Sequence, residues 1–246
     1  MASSILNGAM EFPESGSAFL EPHLPPQDGS TPSPDMPYTP LNFATSLDSS
    51  LALSPGAPTA LSGPQSQAMT HYQRSRHDGI LIGVGTAVED NPSLNCRNSK
   101  LFQLCKKGCA RAPWVVTTLR DPPAKKKALL EKYGGRFIIL HIATSDIAQL
   151  GPIGVTYLSH SGRMCLHSVM IEGGGQVINS LLAPPYLPLI YMVIAIIAPT
   201  WLGQGGAVVS PARRFDEDKP ISAARLTKVK WYPFGEDVVL CGQVKL

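Results

Sequence analysis

The chain is 246 residues long, with 43% hydrophobic and 16% charged residues, which is enough apolar material to bury the core of a globular domain. Its 21 basic and 18 acidic residues nearly cancel, which excludes the strongly basic surface that nucleic-acid binding requires. The first residues show no secretory leader and the five cysteines have no zinc-site spacing. We therefore expect a cytoplasmic protein with reduced thiols, no bound metal, and no membrane or nucleic-acid partner.

Residues 1–37 are rich in serine, proline and glycine and poor in β-branched side chains. Such a composition buries too little apolar surface to offset the entropy lost on ordering. We therefore predict a disordered tail over residues 1–37. From residue 38 to residue 246, short apolar runs alternate with helical and turn segments, which predicts a single α/β domain.

A helix is predicted over residues 63–76, because Ser62 and Gln65 have the spacing of a capping box and Pro64 stands in the first turn. A buried strand follows at residues 79–84. Further strands are predicted at residues 114–118, 136–141, 154–158, 168–171, 191–198, 225–232 and 238–244. The apolar run 187–198 is too short to cross a bilayer, which takes roughly 20 residues, so we interpret it as a buried strand.

The first segment that could carry chemistry, residues 74–97, joins the basic end of the helix to the strand and then to a glycine-bearing turn. Thr86 in this turn can hydrogen-bond a phosphate or a ribose, and glycine lets a cofactor approach the backbone closely. Spacing alone favours an ordinary strand and turn, because a single Gly-x-Gly is a weak signal.

The second segment, residues 168–182, runs from a strand through three glycines into an amphipathic helix, with Glu172 at the strand end. Open amides at a helix start favour an anion. The pattern is neither Gly-x-Gly-x-x-Gly nor a Walker loop, which argues against a doubly wound dinucleotide fold and against phosphoryl transfer. A turn that only lets strand and helix pack is the alternative, but Glu172 favours a site. A third segment, residues 196–206, supplies a further wall.

Three motifs together resemble one family: Arg-Ser-Arg-His-Asp-Gly-Ile-Leu-Ile-Gly-Val-Gly-Thr with Asp-Asn-Pro-Ser-Leu-Asn-Cys-Arg, Val-Met-Ile-Glu-Gly-Gly, and Ile-Ala-Pro-x-x-Leu-Gly. From residue 38 onward the chain is similar to the pyrimidine reductases of riboflavin biosynthesis, which occur alone and as half of a bifunctional deaminase-reductase. The resemblance implies a dihydrofolate-reductase-like α/β fold, with a mostly parallel central sheet flanked by helices. The zinc motif of the partner deaminase is absent from the sequence, so only a reductase is expected.

The resemblance also implies the site and the reaction. It places NADPH on Ala44, Thr86, Asp90 and the loop of residues 174–180, and the glycine-rich part of that site is Gly173, Gly174, Gly175, Gln176 and Val177. It places a phosphorylated ribosylaminopyrimidine substrate on Ser62, Arg74, Leu94, Arg97 and Glu172. Guanidinium groups suit a ribose phosphate because they bind its oxygens in pairs, although a solvated helix face is the alternative for Arg74. Hydride is expected to reach C1′ of the ring-opened imine and leave a ribitylamine, with Glu172 as the catalytic candidate. A homodimer is implied as well.

The chain departs from the family pattern at three places. Ser49 replaces the glycine of a turn beside the substrate, the apolar strand that follows Arg97 is missing, and the helix before the Val-Met-Ile-Glu motif is shortened at residues 159–166. One strand and one helix of the fold are therefore expected to be absent. Two alternatives stay open: an inactive or truncated member that retains only part of the nucleotide-binding fold, and a folate-type reductase, which the pair Arg74 and Arg97 disfavours.

Overall fold

The structure is a computed structural model that describes residues 13–31, 36–55, 57, 59–83, 105–108, 113–117, 119–139 and 166–246. The helices of this part of the chain are α1 (Glu14–Leu20), α2 (Pro64–Ser75), α3 (Ala124–Lys132) and α4 (Gly175–Leu181). Short 3₁₀ segments cover Glu21–His23 and Pro184–Leu189. The strands are β1 (Pro40–Thr45), β2 (Ser50–Ala52), β3 (Gly79–Ile82), β4 (Trp114–Thr117), β5 (Arg136–Ile139), β6 (Val169–Glu172), β7 (Met192–Ile197), β8 (Ala207–Val208), β9 (Arg214–Asp216), β10 (Lys219–Ile221), β11 (Leu226–Phe234) and β12 (Asp237–Val244).

Six strands form the central sheet, in the order β11-β12-β7-β1-β6-β3. Strand β1 pairs in parallel with both β6 and β7, and β3 extends the parallel part beside β6. The hairpin β11–β12 adds an antiparallel edge next to β7. Strands β6 and β7 are apolar and almost wholly buried, which is typical of parallel strands covered on both faces. The predicted mostly parallel sheet is therefore confirmed.

Helices cover both faces of this sheet. On one face, α1 and α2 pack over β7 and β12, and Met69, Ile194 and Val239 are buried together there. On the other face, α4 packs over β1 and β6, with Leu41 and Ile178 fully buried. The pair β4–β5 carries α3 and a small core of its own. The two main cores arise because successive side chains of a strand point to opposite faces of the sheet.

The structure corrects the prediction of disorder for residues 13–31, which we call the N-terminal strap. Leu20 and Leu24 are only 0% and 4% exposed, in the same core as α2. The ring of Phe19 stacks on that of Tyr232, with centroids 4.6 Å apart. Composition misled here because it averages over the whole stretch. A few apolar side chains gain burial in a groove that the rest of the fold already provides.

The start of α2 differs from the predicted capping box. Gly63, which has no side chain, is the N-cap residue instead of Ser62. Asp237, 3% exposed at the start of β12, accepts hydrogen bonds from the Gly63 amide at 2.9 Å and from the Ser66 hydroxyl at 2.6 Å. A carboxylate from a distant strand thus replaces the local hydroxyl, because negative charge is favourable at the positive end of a helix.

The strand predicted to be buried at residues 79–84 is β3, which lies at the edge of the described sheet with Ile80 and Ile82 45% and 36% exposed, so its predicted burial was wrong. Other predicted elements form with small shifts in their ends. The strand expected at residues 191–198 is β7. The first residues of the apolar run 187–198 belong instead to the 3₁₀ segment Pro184–Leu189, because the prolines there lack the amide hydrogen that a sheet needs. Within the described chain, β4 pairs with β5 and not with the central sheet. The strand predicted at 154–158 and the gap after Arg97 lie outside the described residues. Among the helices described, none has the length and apolar character needed to cross a membrane.

Candidate active site

The parallel strands bring three side chains into one row on the sheet face that α2 covers. Asn42 of β1 pairs in register with Glu172 of β6, and Glu172 pairs with Ile82 of β3. Residues paired in this way project to the same face. Glu172 and Ile82 are also the last residues of their strands. The row therefore reaches the carboxyl end of the sheet, where open α/β sheets bind their ligands.

Arg74, in the last turn of α2, forms a two-pronged ion pair with Glu172. Its Nε donates to Oε1 over 2.7 Å and its Nη2 donates to Oε2 over 2.6 Å. Hydrogen bonding to Glu172 raises the pKa of Arg74. The two side chains keep 40% and 16% of their surface exposed, so a ligand can reach them. Because the pair uses Nε and one Nη2 proton, donors on Nη1 remain for an anion.

A buried polar group beside this pair was not predicted from the sequence. The Nδ2 of Asn42 donates to Oε1 of Gln73 over 2.7 Å, and both side chains are buried. The Nδ1 of His77 lies 2.7 Å from the backbone carbonyl oxygen of Gln73, and burial lowers the pKa of this imidazole. An asparagine inside an apolar strand and a glutamine on the buried face of a helix are the signals that could have found this group.

The glycine loop after β6 is shaped by the close approach of its own helix. A Cβ on Gly173 would lie 2.6 Å from the Cβ of Val177, so another residue there would displace α4. Gly174 is the extended N-cap of α4, and Gly175, Gln176 and Val177 form the first turn. Ala44 is half-buried on the same sheet face as Asn42, two residues nearer the carboxyl end of β1. Both the loop and Ala44 lie toward the carboxyl end of the sheet, and their contact with a cofactor stays a prediction.

The loops after β1 and β7 are tied together at the same end of the sheet. Ser49 closes the turn after β1 with a φ of 61°, so the turn forms although the family's glycine is missing. Asp48 of this turn accepts hydrogen bonds from two backbone amides of the loop 199–206, at 3.2 and 2.8 Å. A Cβ on Gly206 would lie 2.2 Å from the carbonyl oxygen of Ala52, so only glycine lets this loop approach β2.

Helix α4 is joined to the chain that continues from this loop. The Nδ2 of Asn179 donates to the carbonyl of Val208 over 2.9 Å, and its Oδ1 accepts from the Ser210 amide over 2.8 Å. These bonds hold residues 208–210 against α4, and that the glycine segments after β6 and β7 wall one site stays a prediction.

The predicted substrate residues do not all meet. Ser62 precedes the first turn of α2, whereas Arg74 lies in its last turn. At about 1.5 Å per residue, the helix separates them by roughly 18 Å along its axis, so the structure does not bring these two residues together. Thr86, Asp90, Leu94 and Arg97 lie outside the described residues, and their contacts stay predictions.

The fold is that of an α/β protein with a mostly parallel sheet, and the Arg74–Glu172 pair and the glycine loops form a candidate ligand site at the carboxyl end of that sheet. Within that class, the chain belongs to the RibD C-terminal domain family, whose model matches residues 37–240. The resemblance noted in the motifs is thereby confirmed.

Relatives from yeasts cover nearly the whole chain. The 2,5-diamino-6-ribosylamino-4(3H)-pyrimidinone 5′-phosphate reductase of Debaryomyces hansenii is 31% identical over 92% of this chain and 95% of its own length. The solved riboflavin biosynthesis reductase of Saccharomyces cerevisiae is 29% identical, covers 94% of this chain and 100% of its own, and superposes with a TM-score of 0.70. The RibD structure of Acinetobacter baumannii, 19% identical with a TM-score of 0.60, shares the fold.

Proposed function

We propose that this chain reduces the ribosyl side chain of 2,5-diamino-6-ribosylamino-4(3H)-pyrimidinone 5′-phosphate to a ribityl side chain, with NADPH as the reductant. The observation that carries the proposal is the Arg74–Glu172 ion pair. It stands at the end of β6, in the Val-Met-Ile-Glu-Gly-Gly segment that the family resemblance assigns to substrate and cofactor. Relatives named for this reaction that match over nearly their full length support it further.

In this proposal Arg74 binds the substrate phosphate. Glu172 holds the guanidinium plane in one orientation, so the Nη1 donors are presented to phosphate oxygens without a rotamer search. The carboxylate of Glu172 also accepts hydrogen bonds from ribose hydroxyls and stabilises the positive charge of a protonated imine. Arg97 and Leu94 are further substrate contacts carried over from the family resemblance, whereas Ser62, at the opposite end of α2 from Arg74, is left out of the proposed site.

The residues around the glycine loop fit a dinucleotide. Gly173 and Gly174 carry the chain from Glu172 to α4 without side chains, with Val177 packed against Gly173, and Ala44 adds only a methyl group to the same end of the sheet. Thr86 and Asp90 complete the proposed contacts. Bound NADPH supplies the hydride that reduces C1′. The chain itself contributes positioning, because hydride transfer needs no protein nucleophile.

The preference for NADPH over NADH is proposed to come from the basic stretch 120–127, which follows β4. Arg120 is exposed there and carries most of the proposal, because a guanidinium binds a 2′-phosphate through paired hydrogen bonds. The lysines of the stretch are equally compatible with a solvated helix face. Equal dissociation constants for the two cofactors in a fluorescence titration would remove this assignment.

A homodimer in the cytoplasm is also proposed. Phe215 and Trp231 are 67% and 58% exposed, and within the described chain the hairpin β9–β10 pairs only with itself. Isolated hairpins are marginally stable, so a partner subunit would stabilise this one. Buried free thiols at Cys105 and Cys241 suit a reducing compartment, and burial raises the pKa of Cys241 to about 12.

The test is consumption of NADPH by the purified chain with the diaminopyrimidine substrate, compared with dihydrofolate. Arg74→Lys keeps the charge but loses the paired geometry, and we expect it to raise the substrate KM roughly tenfold, as expected for a lost charge-assisted hydrogen bond. Glu172→Gln should lower kcat as well. Arg76→Lys is the matched control, because Arg76 is held by Glu21 of the strap and not by the site.

Turnover of dihydrofolate alone would identify a folate-type reductase instead. Cofactor binding without turnover of either substrate would identify an inactive member. An unchanged KM in Arg74→Lys would show that Arg74 does not bind the substrate phosphate, and it would leave the proposed reaction unaffected.

A further inference from the structure

The buried polar group beside the ion pair has hydrogen-bonding atoms without partners. Asn42 and Gln73 are 4% and 0% exposed, and one hydrogen bond of 2.7 Å joins their amides. Among the residues that the structure describes, Oδ1 of Asn42, Nε2 of Gln73 and Nε2 of His77 have no hydrogen-bond partner. Buried polar atoms are rarely left unpaired, because each has given up its bonds to water. An arrangement of this kind indicates either a bound water or a functional constraint.

The two amides are placed directly next to the two halves of the ion pair. Asn42 pairs in register with Glu172 on the neighbouring strand. Gln73 immediately precedes Arg74 in α2. The hydrogen bond between the two side-chain amides therefore links β1, beside Glu172 of the neighbouring strand β6, to α2, beside Arg74. A change in its length or direction shifts one half of the ion pair relative to the other.

The chemistry of the unpaired atoms matches a water molecule. The backbone carbonyl oxygen of Gln73 can only accept a hydrogen bond. The Nδ1 of His77, which lies 2.7 Å from it, therefore carries the hydrogen. In the neutral ring, Nε2 of His77 is then an acceptor. Together with Oδ1 of Asn42 this makes two acceptors, and Nε2 of Gln73 makes one donor. A water has two hydrogens to donate and lone pairs to accept, and buried waters typically make about three hydrogen bonds.

We propose that Asn42, Gln73 and His77 hold an internal water, and that Asn42 and Gln73 are positioning residues that set the geometry of the Arg74–Glu172 pair for the substrate. The inference rests on the proposed placement of the substrate phosphate at Arg74. Neither amide touches substrate in this assignment, because both side chains are buried beneath the pair. Their effect reaches the substrate through the orientation of the guanidinium.

A double-mutant cycle separates positioning from simple stability. Asn42→Leu and Gln73→Met each leave the other amide buried without a partner, so each single variant should melt at a lower temperature. The double variant replaces both amides by apolar groups of similar volume, and its melting temperature should recover. We expect the substrate KM to stay raised in the double variant by roughly tenfold to a hundredfold, because small displacements of a binding group are costly.

A matched control is Gln65→Met, the same substitution at an exposed position in the first turn of α2, which should leave the substrate KM unchanged. Recovery of both the melting temperature and the substrate KM in the double variant would show a purely structural amide pair and overturn the inference. If Arg74→Lys leaves KM unchanged, the phosphate assignment and this inference fail together. If Arg74→Lys raises KM and the double variant does not, this inference alone fails.

The water itself is tested by a high-resolution crystal structure of the whole chain. Density for a water within hydrogen-bond distance of Oδ1 of Asn42 and Nε2 of Gln73 is expected, and it should be absent from the double variant. A dry site in the wild-type protein, with the two amides closed into a reciprocal pair, would overturn the proposed water site.

Discussion

Ser49 occupies a backbone conformation that glycine adopts far more readily. Its φ of 61° lies in the left-handed region, where a Cβ costs about 1–2 kcal/mol. Glycine would remove this cost, but it also increases the conformational entropy of the unfolded chain, which offsets part of the gain in stability. We therefore expect Ser49→Gly to raise the free energy of unfolding by about 0.5–1 kcal/mol, measured by urea denaturation. Such a result would identify the family's glycine as the better residue for this turn.

The control for this substitution is Ser54→Gly, at an exposed position that is not in the left-handed region. Glycine there should leave stability unchanged or lower it, because only the unfolded chain gains freedom. A loss of stability in Ser49→Gly would mean that the serine side chain stabilises the fold by more than its left-handed backbone angle costs.

His77 should make folding sensitive to mild acid. Burial lowers its pKa from the ordinary value of 6.5, so the folded protein binds this proton less readily than the unfolded chain does. The neutral ring therefore contributes stability that is present above about pH 6.5 and is lost as the pH falls through the lowered value. In thermal melts at stepped pH, the advantage of the wild-type protein over His77→Gln should shrink on acidification.

Burial also lowers the pKa of His23, so both proteins lose some stability in the same pH range. Because His23 is present in both, its effect cancels in the difference between wild type and His77→Gln. A difference in melting temperature that stays constant from about pH 7.5 to about pH 5 would contradict a neutral, buried His77.

At the scale of elements, the N-terminal strap should contribute measurably to stability. Leu20 is 0% exposed in the core that α2 also lines, so Leu20→Ala leaves a cavity and should cost about 2–4 kcal/mol of unfolding free energy. For a chain of this size, that corresponds to a drop of roughly 4–16 °C in melting temperature. Leu53→Ala, at a side chain 58% exposed, is the matched control and should change little. Equal effects of the two substitutions would show that the strap is disordered, as composition predicts.

At the scale of the whole molecule, the proposal that a family strand is missing after Arg97 leads to a prediction about stability. Restoring about five buried apolar residues, each worth roughly 1.5–3 kcal/mol, would exceed the lower end of the net stability of a domain, about 5–15 kcal/mol. We expect the restored chain to melt at a higher temperature and to turn over substrate faster. The two forms would be compared in thermal melts with and without NADPH and in the NADPH-consumption assay. Equal rates, with a cooperative melt of the present chain that NADPH shifts upward, would show that the deletion is tolerated.

Local signals in the sequence were sufficient for the elements that carry the site. Proline in a first turn and buried positions at helical spacing determine α2, continuous apolar runs determine β6 and β7, and the step from Glu172 into glycines determines the loop after β6. These features depend on neighbours along the chain, so they can be read without knowing the fold. The family resemblance rests on the same segments.

Tertiary structure decided the contacts between residues that are far apart in the sequence. Glu172 is 98 positions from Arg74, and Asp237 is 174 positions from the amide that it caps. The strap packs against strands that come much later in the chain, and the register of β1 with β6 places Asn42 beside Glu172. Such pairings depend on strand order and register, because a shift of one residue turns every side chain to the opposite face. The sequence by itself therefore determined which elements form and which family they belong to, and only the folded sheet determined which of the predicted residues meet.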